Sequence, residues 1–307
     1  MYYIHLELSF SGAWFLAFRF VPMYGFSRGM WYSIFHSVSA FCNVGLDLFG
    51  SHSLELFRGD VYLNIVFIAL MFCGSLGFFV LEDALAYFFT GKKNKIHVES
   101  KLILHTSVFL VIIFTILIQL FEPSLSILDT LFHVVSARNT GLYTVDVTTF
   151  SEMGKLLITI VMFIGGSPGS NAGGIRVMVL AIMLLTALTN LKGNDEVVVY
   201  YRKISDKMIK RAIAVFVIDF LLVFFGMIAF SLAEGKSVVD VLLLLVSSFS
   251  NTGLATLDLE ILSSLGKWIL IFMMYIGRIA PITFVSLFIP MDVRKKGIQY
   301  PEMDLVL

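Results

Sequence analysis

The sequence predicts an all-α integral membrane protein built from repeated helix–pore helix–filter loop–helix units around a central pore. The first observation is composition: 58% of residues are hydrophobic, 14% are charged and the mean hydropathy is +0.90, whereas soluble domains carry roughly 25% charged residues. The second is a short phrase that occurs three times between long apolar stretches. The formal net charge is zero, so nucleic acid is not an expected partner, because nucleic-acid binding requires a basic face.

The repeated phrase has Ser, Asn and Gly in a common order at 39–46, 136–142 and 247–254. The first and third copies match in register, and the second is one residue shorter between Ser and Asn. Its glycines are Gly45, Gly141 and Gly253, separated by 96 and 112 residues. Repetition at long, similar intervals is typical of a duplicated structural unit.

Apolar segments of two lengths surround these phrases. A membrane-spanning helix needs about 20 apolar residues, which predicts spans near 3–24, 61–90, 102–121, 154–190, 211–233 and 265–290. Shorter apolar stretches at 29–42, 125–138 and 238–250 cannot cross and end at the phrases. The predicted units are therefore 1–90, 91–190 and 191–290, followed by a tail at 291–307.

The placement of basic residues predicts the orientation in the membrane. Thirteen Lys and Arg residues lie in the two links between units and in the C-terminal tail, and five lie on the opposite side. By the positive-inside rule, the links and the C-terminus are expected to be cytoplasmic, with the protein multi-pass in the cell membrane. The link at 191–210 is either a solvated loop or a docking surface for a cytosolic partner.

The phrases themselves have the chemistry of an ion filter. A short helix that ends at membrane depth points its free carbonyls into a cavity, and glycine allows the following residues to present further carbonyls. A ring of such oxygens can replace the water shell of a monovalent cation. The predicted ligands are the main-chain oxygens of Asn43, Val44, Gly45, Asn139, Thr140, Gly141, Asn251, Thr252 and Gly253.

A Gly-rich segment at 165–174 interrupts the apolar stretch 154–190. Pro and clustered Gly break helices, and a break at membrane depth is expected to line a cavity. This predicts a polar loop beneath the pore that moves aside to open it; a surface loop between two short helices is the alternative. The gate residues are Gly165, Gly166, Ser167, Pro168, Gly169, Ser170, Asn171, Gly173 and Gly174, together with Arg278.

Several charged residues have a predicted supporting role. Arg278 is expected near mid-membrane, where a cation faces a cavity or a partner and sets an electrostatic barrier below the filter. Arg138 is expected to pair with Glu122 or Asp146. Three acids follow the phrases, and they either concentrate cations at the outer mouth or are solvated loop residues: Asp47, Asp146 and Asp258. For His36 and His133 in the short helices we expect packing or hydrogen bonding.

The phrases, the loop Gly-Gly-Ser-Pro-Gly-Ser-Asn-Ala-Gly-Gly and the segment Gly-Arg-Ile-Ala-Pro at 277–281 resemble the membrane subunit of the Trk/Ktr/HKT potassium transporter family, with the KtrB-like members most similar. The resemblance covers residues 3 to 290. It implies potassium uptake through a carbonyl-lined filter, often sodium-dependent, with potassium as substrate and without a covalently bound cofactor. It also implies a homodimer in membrane lipid on a cytosolic ring of nucleotide-binding regulatory subunits (KtrA/TrkA-like).

The family has four units with one filter glycine each, and the resemblance assigns the three phrases here to the second, third and fourth. We expect the first unit to lie upstream of Met1 or on another chain; the alternative is a truncated, non-transporting fragment. Ala280, where the family commonly has Gly, is a minor departure. An intramembrane enzyme is not predicted, because the sequence has no His-x-x-x-His, Gly-x-Ser-x-Gly or intramembrane acid pair.

Overall fold

The computed structural model describes residues 2–50, 52–90, 96–170 and 173–279. Within these ranges the chain forms eleven α-helices, which follow one another in this order: α1 Tyr2–Tyr24, α2 Phe26–Phe41, α3 Val61–Ser75, α4 Phe78–Thr90, α5 Val98–Phe121, α6 Ile127–Ala137, α7 Glu152–Ile164, α8 Val177–Leu191, α9 Asp206–Glu234, α10 Val238–Ser250 and α11 Ser264–Ile279. A two-residue antiparallel ladder pairs β1 Val198–Val199 with β2 Arg202–Lys203 in the link before α9. The predicted all-helical fold is confirmed.

The helices follow the predicted pattern of long helix, short helix, loop and helix. Polar residues at helix starts fix several boundaries: the side chains of Asp60, Ser126, Ser151 and Ser205 each accept a hydrogen bond from the backbone N–H three residues later. Such N-caps satisfy donors that a helix leaves open. The loops that follow the first and second filter phrases add one 3-10 turn each, Glu55–Phe57 and Val147–Thr149.

The short helices form the centre of the molecule. In α10 every side chain from 243 to 250 is buried, and in α6 the same holds for 132–137. The 29-residue helix α9, in contrast, buries only Ala212, Asp219, Val223 and Phe230. In a water-soluble bundle a long outer helix would have a polar outer face. A helix that faces lipid needs no such face and can expose apolar residues. The arrangement places the three predicted filter phrases at the core.

The segment predicted to span the membrane at 61–90 is not one continuous helix, because the chain breaks after Ser75. Helices α3 and α4 meet at an angle of 108°. Gly77 adopts φ +78, a left-handed conformation that glycine reaches without steric cost. A Cβ atom at this position would lie 2.8 Å from the carbonyl oxygen of Pro168. The break therefore accommodates the Gly-rich loop of the next unit.

The sequence predicts six membrane-spanning segments. Fewer helices among the described residues are long and apolar enough to span a membrane by themselves. Two meet that criterion in the described residues, α5 and α9, and α3 with α4 is a third if the bent pair counts as one span. The stretch 154–190 is divided into α7 and α8, as its Gly-rich interruption predicts. The segment predicted at 265–290 is described only as far as Ile279.

Candidate ion-conduction site

Each filter phrase folds back onto the short helix that precedes it. The carbonyl oxygen of the serine that opens the phrase accepts a hydrogen bond from a filter N–H in all three units. The pairs are Val44 N to Ser39 O at 2.9 Å, Thr140 N to Ser136 O at 2.7 Å and Thr252 N to Ser247 O at 2.9 Å. The same bond at the same place gives the three phrases a common shape.

The hydroxyl groups of these serines brace the far side of the filter. Ser39 Oγ donates to Leu46 O at 2.6 Å, and Ser136 Oγ donates to Leu142 O. In the third unit Ser247 Oγ instead accepts from the N–H of Gly253 at 3.1 Å. The sequence analysis assigned no role to this serine, although its recurrence in every copy of the phrase could have indicated one.

The filter glycines all have positive φ: +75 at Gly45, +81 at Gly141 and +98 at Gly253. Residues with a side chain rarely adopt this region. Asn43 and Asn251 also lie in it, with φ 53 and 56, whereas Asn139 does not. The second phrase is one residue shorter, so its helix reaches the filter without the left-handed asparagine.

The structure brings the three phrases side by side. A Cβ atom on Gly45 would overlap the carbonyl oxygen of Thr140, and one on Gly141 would overlap that of Thr252. Each filter therefore packs against the main chain of the next. Gly253 has no neighbouring atom within 4 Å of such a position, so the series of contacts is open on one side.

A cleft occupies that open side. Its volume is about 480 Å³, and Val44, Gly253, Lys267 and apolar side chains of α10 and α11 line it. Val44 is 52% exposed, although it belongs to a phrase at the centre of the fold. The first and third filters are thus separated by a space where the other pairs of filters touch.

The Gly-rich segment forms a closed loop with a hydrogen-bonded neck. Ile175 N donates to Phe163 O at 3.1 Å, Arg176 N to Ile164 O at 3.0 Å and Val177 N to Gly166 O at 2.8 Å. These bonds link the end of α7 to the start of α8. The described residues between them belong to neither helix.

The loop is attached to the first and third units. Ser167 donates to the carbonyl oxygen of Ser75 from both its N–H, at 3.1 Å, and its hydroxyl, at 2.7 Å. On the other flank, Gly173 N donates to Ser250 O at 3.2 Å, at the end of the third short helix. The loop therefore connects the break after α3 with the base of the third filter.

The described gate residues differ in exposure. Gly165, Gly166 and Ser167 are buried, Pro168 is half-buried and Gly169 is exposed. Asn171 lies outside the described residues. Arg278 occupies the last described turn of α11 with an exposed side chain, directly after Gly277, which packs against the carbonyl of Phe249 at the end of α10. The electrostatic barrier that Arg278 is predicted to set below the filter stays a prediction.

Arg138 has a different partner from the two carboxylates proposed for it. Its guanidinium is buried, donates to Ser107 Oγ at 3.1 Å and lies 5.8 Å from the centre of the Phe72 ring. Glu122 accepts from Ser151 N at 2.6 Å, and Asp146 accepts from Thr148 N. The expected ion pair is therefore wrong: Arg138 bonds to a serine hydroxyl, and both carboxylates accept from backbone N–H groups.

The two histidines connect the short helices to the loops that follow the filter phrases, and the expected hydrogen-bonding role is confirmed. His36 Nε2 accepts from Leu48 N at 3.2 Å, and His133 Nε2 lies 2.9 Å from Val145 O. The other ring nitrogen of each contacts a helix carbonyl one turn back. Both rings stand three residues before the phrase serine, so they fix equivalent loops.

The three acids after the phrases share one local role. Asp47, Asp146 and Asp258 each accept a hydrogen bond from the backbone N–H two residues later, at 2.9, 2.8 and 2.9 Å. This is an Asx turn, in which a short side chain stabilises a loop. The acids therefore shape the loops that follow the phrases, and concentration of cations by them remains a prediction.

Contacts between units were not predicted from the sequence. Arg58 of the first unit pairs with Asp129 in the first turn of α6, and Lys155 of the second pairs with Asp240 in the first turn of α10, each at 3.0 Å. Within the second and third units, Glu122 and Glu234 accept from the serine N–H groups 29 residues later. The same Glu-to-Ser spacing in both units is visible in the sequence and could have indicated these two contacts.

One buried acid also escaped the sequence analysis. Asp219, midway along α9, is fully buried, and its two oxygens have no hydrogen-bond partner within the described residues. An intramembrane charge is costly unless it is paired, so this carboxyl is an exception to the apolar pattern of α9.

Comparisons with known proteins agree with this architecture. The family model described as TrkH, cation transport protein, matches residues 1–295. The potassium/sodium uptake protein NtpJ of Enterococcus hirae is 32% identical, over 96% of this chain and 68% of that protein. The Ktr system potassium uptake protein B of Bacillus subtilis is 30% identical, over 98% and 69% respectively.

A solved structure shows the same fold. The crystal structure of the potassium transporter TrkH from Vibrio parahaemolyticus superposes with a TM-score of 0.77 at 20% identity, covering 95% of this chain and 64% of that one. This chain thus spans about two thirds of the length of these proteins. From the match over nearly all its residues, the chain belongs to the TrkH family of cation transport proteins.

Proposed function

We propose that this chain forms most of the pore of a potassium uptake system in the cell membrane. The observation that carries the proposal is the side-by-side packing of three filter phrases, each with a glycine at positive φ. The relatives NtpJ and the Ktr system proteins are named for potassium uptake. Transport of a cation by a member of this family is the activity that the filter geometry supports best.

The proposed ligands are main-chain oxygens of the nine filter residues. Carbonyl groups held by a rigid scaffold replace the hydration shell of a monovalent ion, whereas divalent ions usually require carboxylates. The serine hydrogen bonds supply that rigidity in every unit. Sodium dependence is part of the proposal, on the strength of the potassium/sodium uptake protein among the relatives.

A fourth filter segment is proposed to close the ring at the open side. Lys155 and Lys267 both stand 14 residues after a filter glycine. Lys155 pairs with an acid in the first turn of the next short helix, and Lys267 faces the cleft. The fourth segment, on the same polypeptide or another, is therefore expected to place an acidic residue opposite Lys267.

The gate, orientation and partners are also proposed. The Gly-rich loop is proposed to block the path below the filter, supported by its attachment to the first and third units. The inter-unit links and the C-terminus are assigned to the cytoplasm. A nucleotide-binding regulatory subunit and homodimerisation are proposed. The hairpin before α9 supports a docking surface for such a partner, because Tyr201 is fully exposed there at a turn of positive φ.

Rubidium uptake into cells that lack potassium transporters tests the function. This chain is expressed alone and together with a fourth unit, which is the first unit of a relative such as NtpJ and supplies the one that this chain lacks. We expect uptake only when the fourth unit is present, and loss of that uptake in the Lys267→Glu variant. Absence of uptake in every combination, with the proteins present in the membrane, would contradict transport; uptake by this chain alone would contradict ring closure.

A further inference from the structure

A chain of buried hydrogen bonds connects the filter to the Gly-rich loop. The side-chain amide of Asn43 lies 2.7 Å from Thr140 Oγ1. In the orientation that satisfies both ends of the amide, its nitrogen donates to Thr140 Oγ1 and its oxygen accepts from Ser75 N–H at 3.1 Å. The carbonyl of Ser75 then accepts both bonds from Ser167. All four residues are buried.

This network joins the two unusual backbone features of the molecule. Ser75 is the last residue of α3, directly before the break at Gly77, and Ser167 lies in the loop. The Phe78 N–H donates to Gly169 O at 3.4 Å, and Gly77 packs against Pro168. Both sides of the break therefore contact the loop, while the first side also contacts the filter.

The network is not a general filter brace, because the other units lack it. The amide of Asn251 donates within its own unit, to Phe249 O at 3.5 Å and Met274 O at 3.3 Å. Both amide atoms of Asn139 have no hydrogen-bond partner within the described ranges. Only the asparagine of the first unit reaches from one filter to another and on to the loop.

We propose that Thr140, Asn43, Ser75 and Ser167 couple ion occupancy of the filter to the position of the loop. The inference rests on the proposed function, in which the Thr140 carbonyl binds the ion. An ion that fixes the main chain of Thr140 also fixes its hydroxyl, and hence the Asn43 amide and the carbonyl that holds Ser167. Coupling between two sites is reciprocal, so a change at Ser167 alters cation binding at the filter.

Two measurements test this coupling on the purified chain assembled with the fourth unit, because the proposed ring of ligands is closed only when that unit is present. Thermal stabilisation by potassium chloride, relative to choline chloride at equal ionic strength, reports ion binding. Hydrogen–deuterium exchange of the peptide that contains Ser167 reports loop opening. In the wild-type protein we expect potassium to change the exchange rate of that peptide by roughly 5-fold or more, the lower range of allosteric coupling.

Substitutions then show whether the network carries the effect. Ser167→Ala removes the hydroxyl donor, and Ser167→Thr is the matched control that retains it. We expect Ser167→Ala to shift the half-stabilising potassium concentration roughly 5-fold and Ser167→Thr to leave it near the wild-type value. In the Thr140→Val background, which lacks the hydroxyl at the filter end, Ser167→Ala should cause a much smaller shift.

The outcomes separate the two proposals. Stabilisation by potassium without any change in loop exchange would overturn the coupling, as would equal shifts from Ser167→Ala in both backgrounds. Absence of potassium stabilisation in the wild-type protein would contradict the proposed function itself, and the coupling with it. Monodispersity on size exclusion identifies variants that fail to fold, and the exchange measurement on the wild-type protein is independent of them.

Discussion

At the residue scale, the three filter glycines serve the same backbone conformation but differ in their surroundings. Gly141 lies between two neighbouring filters, where a Cβ atom would overlap Thr252 O. Gly253 borders the cleft and has open space at the same position. A left-handed conformation costs a residue with a side chain about 1–2 kcal/mol. A side chain at either position would incur that cost, and only at Gly141 would it also clash with the neighbouring filter.

This difference predicts unequal effects of the same substitution. Gly141→Ser is expected to lower the thermal stability of this chain clearly more than Gly253→Ser, because the added side chain displaces the adjoining filter. Thermal unfolding in detergent measures the difference. In a protein with the fourth unit restored, both substitutions should abolish rubidium uptake. Normal uptake by the two variants would count against the filter assignment.

The repeated serine shows how a single hydroxyl supports a filter. Ser136 lies within a buried helix end, and its hydroxyl and carbonyl each hold a residue of the phrase that follows. A typical hydrogen bond contributes about 0.5–1.5 kcal/mol net to stability, and a buried donor or acceptor left without a partner costs more than that. The serines therefore fix filter geometry, which decides the positions of the carbonyl groups.

At the element scale, the two broken helices depend on each other. Helix α3 ends where the Gly-rich loop needs a carbonyl acceptor, and Gly77 turns α4 away to leave room for Pro168. Irregular backbone at membrane depth persists only where protein or a water-filled cavity satisfies it. Here each break satisfies polar groups of the other, which explains why a seemingly continuous apolar stretch is interrupted at Ser75.

Deletion of residues 166–172 is expected to raise cation flux, because it removes the segment that joins the break after α3 to the base of the third filter. Rubidium uptake by the protein with its fourth unit restored is the measurement. A control variant replaces the exposed residues 192–195, which precede the hairpin proposed for partner binding, with a Gly-Ser linker and should leave uptake unchanged. Equal flux in the loop deletion and the wild-type protein would reject the gate.

At the scale of the whole molecule, ion pairs connect the units in sequence. Arg58 reaches forward to the second short helix, and Lys155 reaches forward to the third. The acids they contact are in the first turn of those helices, where negative charge also interacts favourably with the helix dipole. The units therefore associate through a repeated polar contact at the start of the short helices, in addition to their apolar packing.

The pair of Lys155 and Asp240 should contribute to stability, because their side chains are only 12% and 20% exposed. Loss of either charge is expected to cost about 1.5–3 kcal/mol, the range of hydrogen bonds to charged groups. Thermal unfolding of Lys155→Met, Asp240→Asn and the double variant measures the coupling. The exposed pair of Lys203 and Glu196 is the control, with no measurable change expected. Purely additive effects at Lys155 and Asp240 would contradict the assigned contact.

Much of the element pattern follows from local sequence. Apolar length separated the spanning segments from the three short helices, and the clustered glycines at 165–174 marked the division between α7 and α8. The break after Ser75 could not be predicted in this way, since its cause is a loop about 90 residues later in the chain. A local sequence pattern indicates which secondary structure a segment favours, and the pattern at 61–90 favours an uninterrupted apolar helix.

The sequence by itself determined that the chain is an apolar membrane protein with three equivalent phrases, since composition and repetition are local properties. Only the tertiary structure decided which groups meet: filter against filter, Ser167 with Ser75, Lys155 with Asp240, and Arg138 with Ser107. The physical reason is that hydrogen bonds and ion pairs act over a few ångströms. Their partners depend on how distant segments pack, and spacing along the chain does not specify that packing.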